Sequence, residues 1–202
     1  IPSLNNIVED NFFVDLDRIA IQVGGENNIV RNNTIRNAKE GGIFAARAIG
    51  ATINNNYIEA VTMSDIVAGG IELNYCTDIE VRYNRINRVV GKGIAAIGMY
   101  SGTIDNNRVH AASVTGSSTT YPYGPFSERY AFNIGSPIVA GTTVASVDRT
   151  PVVLTASNTM PITGTVKDNV ISDDRTGALT DNGMFFTKAG TAGDESVNNL
   201  TV

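Results

Sequence analysis

One short pattern recurs along this chain at a nearly constant step, and that periodicity limits the fold more than any other feature. The pattern is a β-branched residue, two mostly polar residues, Asn, any residue and then an apolar residue. It reads Val30-Arg31-Asn32-Asn33-Thr34-Ile35, and returns as Ile53-Asn54-Asn55-Asn56-Tyr57-Ile58, Val81-Arg82-Tyr83-Asn84-Arg85-Ile86 and Ile104-Asp105-Asn106-Asn107-Arg108-Val109. An earlier copy spans Val8 to Phe13 and a later one Val166 to Ile171. The shared Asn falls at 11, 33, 56, 84 and 107, in steps of 22, 23, 28 and 23. A second signal keeps that step: Gly42-Ile43, Gly70-Ile71 and Gly93-Ile94 each open an apolar run, with Ile21 one period earlier. Each period therefore holds at least two short strands joined by Gly or Asn corners.

Two strand phases locked together over several periods describe a coil. Stacked coils set equivalent residues about 4.8 Å apart, so inward Ile and Val pile onto their copies and build one long core. An Asn at a corner accepts a left-handed backbone, and its amide can bond to the Asn of the next rung. The Asn column is thus expected to be a corner ladder. Composition agrees: 22 Asn, 20 Gly and 21 Ile supply turns and strands, and helical spacing of apolar residues is hard to find. A leucine-rich horseshoe needs Leu at several fixed positions, and six Leu cannot supply them.

The rungs at 6–110 resemble those of the pectate-lyase-like superfamily, which includes polysaccharide lyases, glycoside hydrolases, epimerases and phage tailspike depolymerases. The resemblance implies an all-β chain, a right-handed parallel β-helix or solenoid. The expected layout is a single β-helix domain over 1–202, cut from a longer chain. Regular rungs fill 6–110, an irregular loop and coils fill 111–163, and further rungs fill 164–202. The same resemblance implies a polysaccharide as partner, an extracellular or virion-surface setting, and a homo-oligomer, with a trimer preferred by likeness to tailspikes.

Charge and cysteine content narrow the classes further. A net charge of -5 argues against nucleic acid, which needs a concentrated basic surface. Cys76 is alone, so no intrachain disulfide forms. No apolar run approaches the roughly 18 residues of a membrane span, so no membrane partner is expected. No ligand spacing suggests a metal, and no cofactor is indicated. Calcium is a cofactor of some lyases in the resembling group, but their clustered acids with a nearby Lys and Arg are not clearly met here. The polygalacturonase-like set of Asn-Thr-Asp, paired Asp, Gly-His-Gly and Arg-Ile-Lys is also absent as a set. Asp173-Asp174 stands without its companions, and His110 reads as a surface residue one rung from Asn87.

Site candidates come from reading columns across the rungs. One residue after the Gly-Ile anchor lie Gln22, Phe44, Glu72 and Ala95, which should point outward. Six before it lie Asp15, Asn37, Asp65 and Arg88. Four after it lie Arg47 and Tyr75, and Lys92 lies one before the anchor's glycine. The 28-residue period carries extra residues around Ala60 to Asp65, a loop suited to wall a site. Two carboxylates one or two rungs apart approach the ~6.5–9.5 Å separation of inverting glycosidases. Glu72 is then the candidate acid and Asp65 or Glu40 the base, with Arg47 and Lys92 holding an acidic sugar. In a lyase, Tyr75 or a basic residue would abstract the proton instead. Tyr121 and Tyr123, in a Pro-rich aromatic segment, are candidates for stacking on sugar rings. A non-enzymatic adhesive or structural fibre, and an epimerase, remain the alternatives.

Overall fold

A computed structural model of the protein describes residues 3–61, 69–89, 92–110, 130–135, 162–172, 182–186 and 197–201. Every regular element among them is a strand, and the strands come in threes. The first coil holds β1 (Ile7–Glu9), β2 (Phe12–Leu16) and β3 (Ile19–Glu26), and the second β4 (Ile29–Arg31), β5 (Thr34–Ala38) and β6 (Gly41–Ile49). The third holds β7 (Thr52–Asn54), β8 (Tyr57–Glu59) and β9 (Gly69–Thr77), and the fourth β10 (Glu80–Arg82), β11 (Arg85–Asn87) and β12 (Lys92–Tyr100). The fifth holds β13 (Gly102–Asp105), β14 (Arg108–His110) and β15 (Tyr130–Gly135), and the sixth β16 (Ile162–Lys167), β17 (Val170–Ser172) and β18 (Asn182–Phe186). A last strand, β19 (Val197–Thr201), begins a further coil.

Each strand pairs in parallel with its equivalent one coil away, giving three sheets. The first sheet stacks β1, β4, β7, β10, β13, β16 and β19; the second stacks β2, β5, β8, β11, β14 and β17; the third stacks β3, β6, β9, β12, β15 and β18. This is a right-handed parallel β-helix. The register follows the sequence period: Val30 lies on Ile53, Ile53 on Val81, and Val81 on Ile104. A coil has three strands, in keeping with the minimum of two legible in the sequence. The recurring pattern spans two of them, because strands of mostly three residues on either side of the Asn are too short to show alternation.

Inward Ile and Leu fill the coil: Ile53, Ile58, Ile71, Leu73, Ile86 and Ile94 have little or no exposed surface. Burial of such a side chain contributes about 2 kcal/mol, so the column is the main source of cohesion. Gly42 and Gly70 mark where the second sheet approaches the third. A Cβ at Gly70 would meet Ile86 Cγ2 and the Gly93 carbonyl, both at 2.6 Å, and one at Gly42 would meet Ile58 Cγ2 at 2.8 Å. That is the physical cause of the Gly-Ile signal.

The ladder lies between the first and second sheets. Asn56 Nδ2 donates to Asn84 Oδ1 at 3.0 Å, Asn84 Nδ2 to Asn107 Oδ1 at 3.0 Å, and Asn107 Nδ2 to Asn169 Oδ1 at 3.0 Å. The ladder therefore continues across the 62 residues in which the sequence loses its repeat. The left-handed residue is the one before each ladder Asn, not the Asn itself: Asp10, Asn32, Asn55, Tyr83, Asn106 and Asp168 all have φ between 54° and 58°. The ladder side chain is thereby turned inward, and Asn33, Asn56, Asn84 and Asn107 are buried.

A second left-handed corner closes the second sheet, at Asp15, Asn37, Ala60 and Arg88. The column counted through Asp65 is thus corrected: Ala60 takes that corner, and its N–H donates to the Asn87 carbonyl at 3.0 Å. Val61 follows it into the core beside the third-sheet side. The extra residues enter after the corner, so counting backward from Ile71 overshoots it. Of the irregular stretch 111–163, the described parts are β15, in register with β12 and β18, and the opening of β16.

Candidate functional site

The third sheet has the longest strands, and its outward face carries the best-perturbed carboxyl among the described residues. Register sets Gln22 on Phe44, Phe44 on Glu72 and Glu72 on Ala95, the column read from the sequence. The column changes character along the coil. Gln22 is exposed and Phe44 half-buried, whereas Glu72 is 5% and Ala95 0% exposed. Glu72 is therefore not the solvated acid expected of an outward position.

Burial pushes the Glu72 carboxyl up from its ordinary value of 4.5, against the opposing pull of the Lys92 charge and of a hydrogen bond from Asn74. Asn74 Nδ2 donates to Glu72 Oε1 at 3.3 Å, a long bond, and Oε2 has no hydrogen-bond partner. A buried carboxyl with one unpartnered oxygen holds its proton to higher pH than a solvated one. Such a group can donate that proton to a substrate oxygen.

Lys92 is also buried, at 6% exposure, and lies in register with Gly69 at the head of the same sheet. Arg47 and Tyr75 share a left-handed position within their strands, at φ 52° and 54°. They follow Ala46 and Asn74, which are in register, so both sit over the bend of the third sheet, Arg47 exposed and Tyr75 half-buried. The sheet thus brings Glu72, Tyr75, Lys92 and Arg47 onto adjacent rungs. It does not bring Glu40 to them. Glu40 precedes the start of β6, four residues up the strand line from Phe44, the register partner of Glu72, or roughly 13 Å at about 3.3 Å per residue. Its carboxylate is held by Arg18, Nε to Oε2 at 3.1 Å. Asp65, Tyr121 and Tyr123 lie outside the described residues.

Residues 2–124, more than half of the chain, match the family model described as the right-handed β-helix region. The chain belongs to that family. The family is found in polysaccharide-acting enzymes. No curated protein and no solved structure matches the chain.

In this β-helix the second sheet carries a surface that column reading passed over. A cleft of about 370 Å³ lies on its outer face, lined by Tyr57, Arg85, Asn87, Arg108, His110 and Ser172, among others. His110 is in register with Asn87, as the repeat predicts, and its Nδ1 lies 2.9 Å from Ser172 Oγ. The signal for this face was in the pattern itself. The residue after each ladder Asn points outward, and in two successive coils it is Arg. Among the described residues no group of His, Cys, Asp and Glu suits a metal ion, and no helix is long and apolar enough to cross a membrane. Cys76 is buried, and its thiol is pushed up to about 11, which removes it as a nucleophile near neutral pH.

Proposed function

We propose that this β-helix binds and cleaves a polysaccharide along the outer face of its third sheet, as a pectate-lyase-like depolymerase with Glu72 as general acid. The observation that carries this is the Glu72 carboxyl itself: an outward strand position, buried, raised in pKa and with Oε2 unpartnered. Protonated Glu72 gives its proton to the glycosidic oxygen as the bond to the anomeric carbon breaks. Water adds at that carbon and its proton passes to a base, a role for which Asp65 remains the candidate. Lys92 and Arg47 supply positive charge for an acidic sugar, and Tyr75 an aromatic wall. The setting that suits this chemistry is a secreted or virion-surface depolymerase assembled as a trimer.

A second reading is a binding face without cleavage. It is favoured by one specific feature: the described outward neighbours of Glu72 on its sheet, Phe44, Ala95 and Asn74, include no second carboxylate. Incubation of the protein and of Glu72→Gln with acidic and neutral polysaccharides separates the two. Cleavage by the parent, falling by about a hundredfold or more in the variant with binding retained, is the expected result. New chain ends with undiminished yield from Glu72→Gln would remove Glu72 from the reaction, and binding without cleavage by either protein would establish the second reading.

A further inference from the structure

Along the sheets of this coil, a cation on one rung faces an anion on the next. Arg31 Nε meets Glu9 at 2.6 Å, Arg36 Nε meets Glu59 at 3.3 Å, and Arg82 Nε meets Asp105 at 3.1 Å. Between β11 and β14 that arrangement fails. Arg85 is in register with Arg108, so two arginines occupy directly opposite positions on one sheet face. Both are exposed, and neither has an ion-pair partner among the described residues. Their flanking positions in the column are Tyr57 and Val170, which offer no negative charge. Like charges directly opposite on a sheet repel, and this is the pair that borders the cleft of about 370 Å³.

The volume suits a small ligand more than a water cluster, lying at the lower end of the ~300–1,000 Å³ range of ligand pockets. The lining is mixed in the way a sugar needs. Arg85 and Arg108 present planar forks to an oxyanion, Asn87 and Ser172 present hydrogen-bonding groups, and Tyr57 and Val170 present apolar surface. Rungs about 4.8 Å apart let one carboxylate or sulfate group reach both guanidinium groups at once.

We propose that this cleft on the second sheet is a binding site, separate from the Glu72 face, for an oxyanion group carried on a saccharide chain, with Arg85 and Arg108 as its recognition pair. The oxyanion preference follows from the arginine pair alone. The assignment of that oxyanion to a sugar rests on the polysaccharide reading above. A site on a different face from the cleavage site would hold a long acidic chain against the coil while it is cut elsewhere.

The test is calorimetric titration of the 202-residue chain, its Arg85→Gln/Arg108→Gln double variant and Glu72→Gln. The probes are an oligogalacturonate, a neutral oligosaccharide of equal length and free sulfate. Circular dichroism and melting of the double variant check that the exposed substitutions leave the coil intact. The expected result is oligogalacturonate binding that weakens about tenfold for each guanidinium removed and weakens with added salt. Saccharide binding that the double variant retains in full would overturn the site and leave the polysaccharide reading standing. Sulfate binding through Arg85 and Arg108, with no saccharide bound by any of the three proteins, would overturn the sugar-borne ligand together with the polysaccharide reading. Equal binding of the neutral oligosaccharide would overturn the oxyanion preference.

Discussion

Glu72 shows what a single side chain contributes when its solvent is removed. Its carboxyl sits above 4.5 because the charged form loses hydration on burial, and neither Lys92 nor the long bond from Asn74 restores it. In the unfolded chain the same group titrates near its ordinary value. A folded-state pKa above the unfolded one adds stability at pH below the unfolded value, and that stability is lost as pH rises through the folded value. Thermal melts of the parent should therefore fall relative to Glu72→Gln as pH rises above 4.5. A constant difference between the two melting curves across that range would show that Glu72 ionises in the folded chain as freely as in water. The outward parity of Glu72 was legible in the sequence. Its burial was not, because a column of equivalents says which way a side chain points and nothing about what lies over it.

The strands and their corners were legible to different degrees. The short strands on either side of the ladder merge into one pattern in the sequence, and only the parallel register separates them. The ladder that joins them is a chain of buried amides, each dependent on the next. Asn84 Nδ2 donates to Ile53 O at 2.9 Å and to Asn107 Oδ1 at 3.0 Å, while Asn84 Oδ1 accepts from the Asn56 N–H and Nδ2. Asn84→Ala deletes these bonds together and strands buried donors and acceptors on both neighbouring rungs. Each stranded group costs about 1–3 kcal/mol, so a loss near 3 kcal/mol is expected in denaturant unfolding. Asn11→Ala, at the exposed start of the ladder, should cost less than about 1 kcal/mol. Equal losses at the two positions would mean that the amides act as separate surface bonds and do not form a buried chain.

At the scale of the molecule, a solenoid's stability is close to a sum over rungs and the interfaces between them. Its middle rungs bury their inward residues on both sides, as Ile58 and Ile86 do, while in the first rung Val8 and Phe13 are only partly buried and Ile7 and Phe12 are 53% and 61% exposed. Amide exchange followed by mass spectrometry should show protection rising from β1 and β2 into β7, β8, β10 and β11. A flat protection profile across these strands would point to one all-or-none unit and rule out graded rung-by-rung opening.

The period of the chain was enough to specify a coil, its core columns and its Asn ladder, since residues one period apart must stack when strands repeat at strand spacing. Where the extra residues of the long coil enter, which outward residues are buried and which cations stand opposed were set by three-dimensional register and by coverage. Those quantities depend on neighbours one rung away and on the layer above the sheet. Asp65 counted into the wrong corner, Glu72 found buried and Arg85 found facing Arg108 are three results of that dependence.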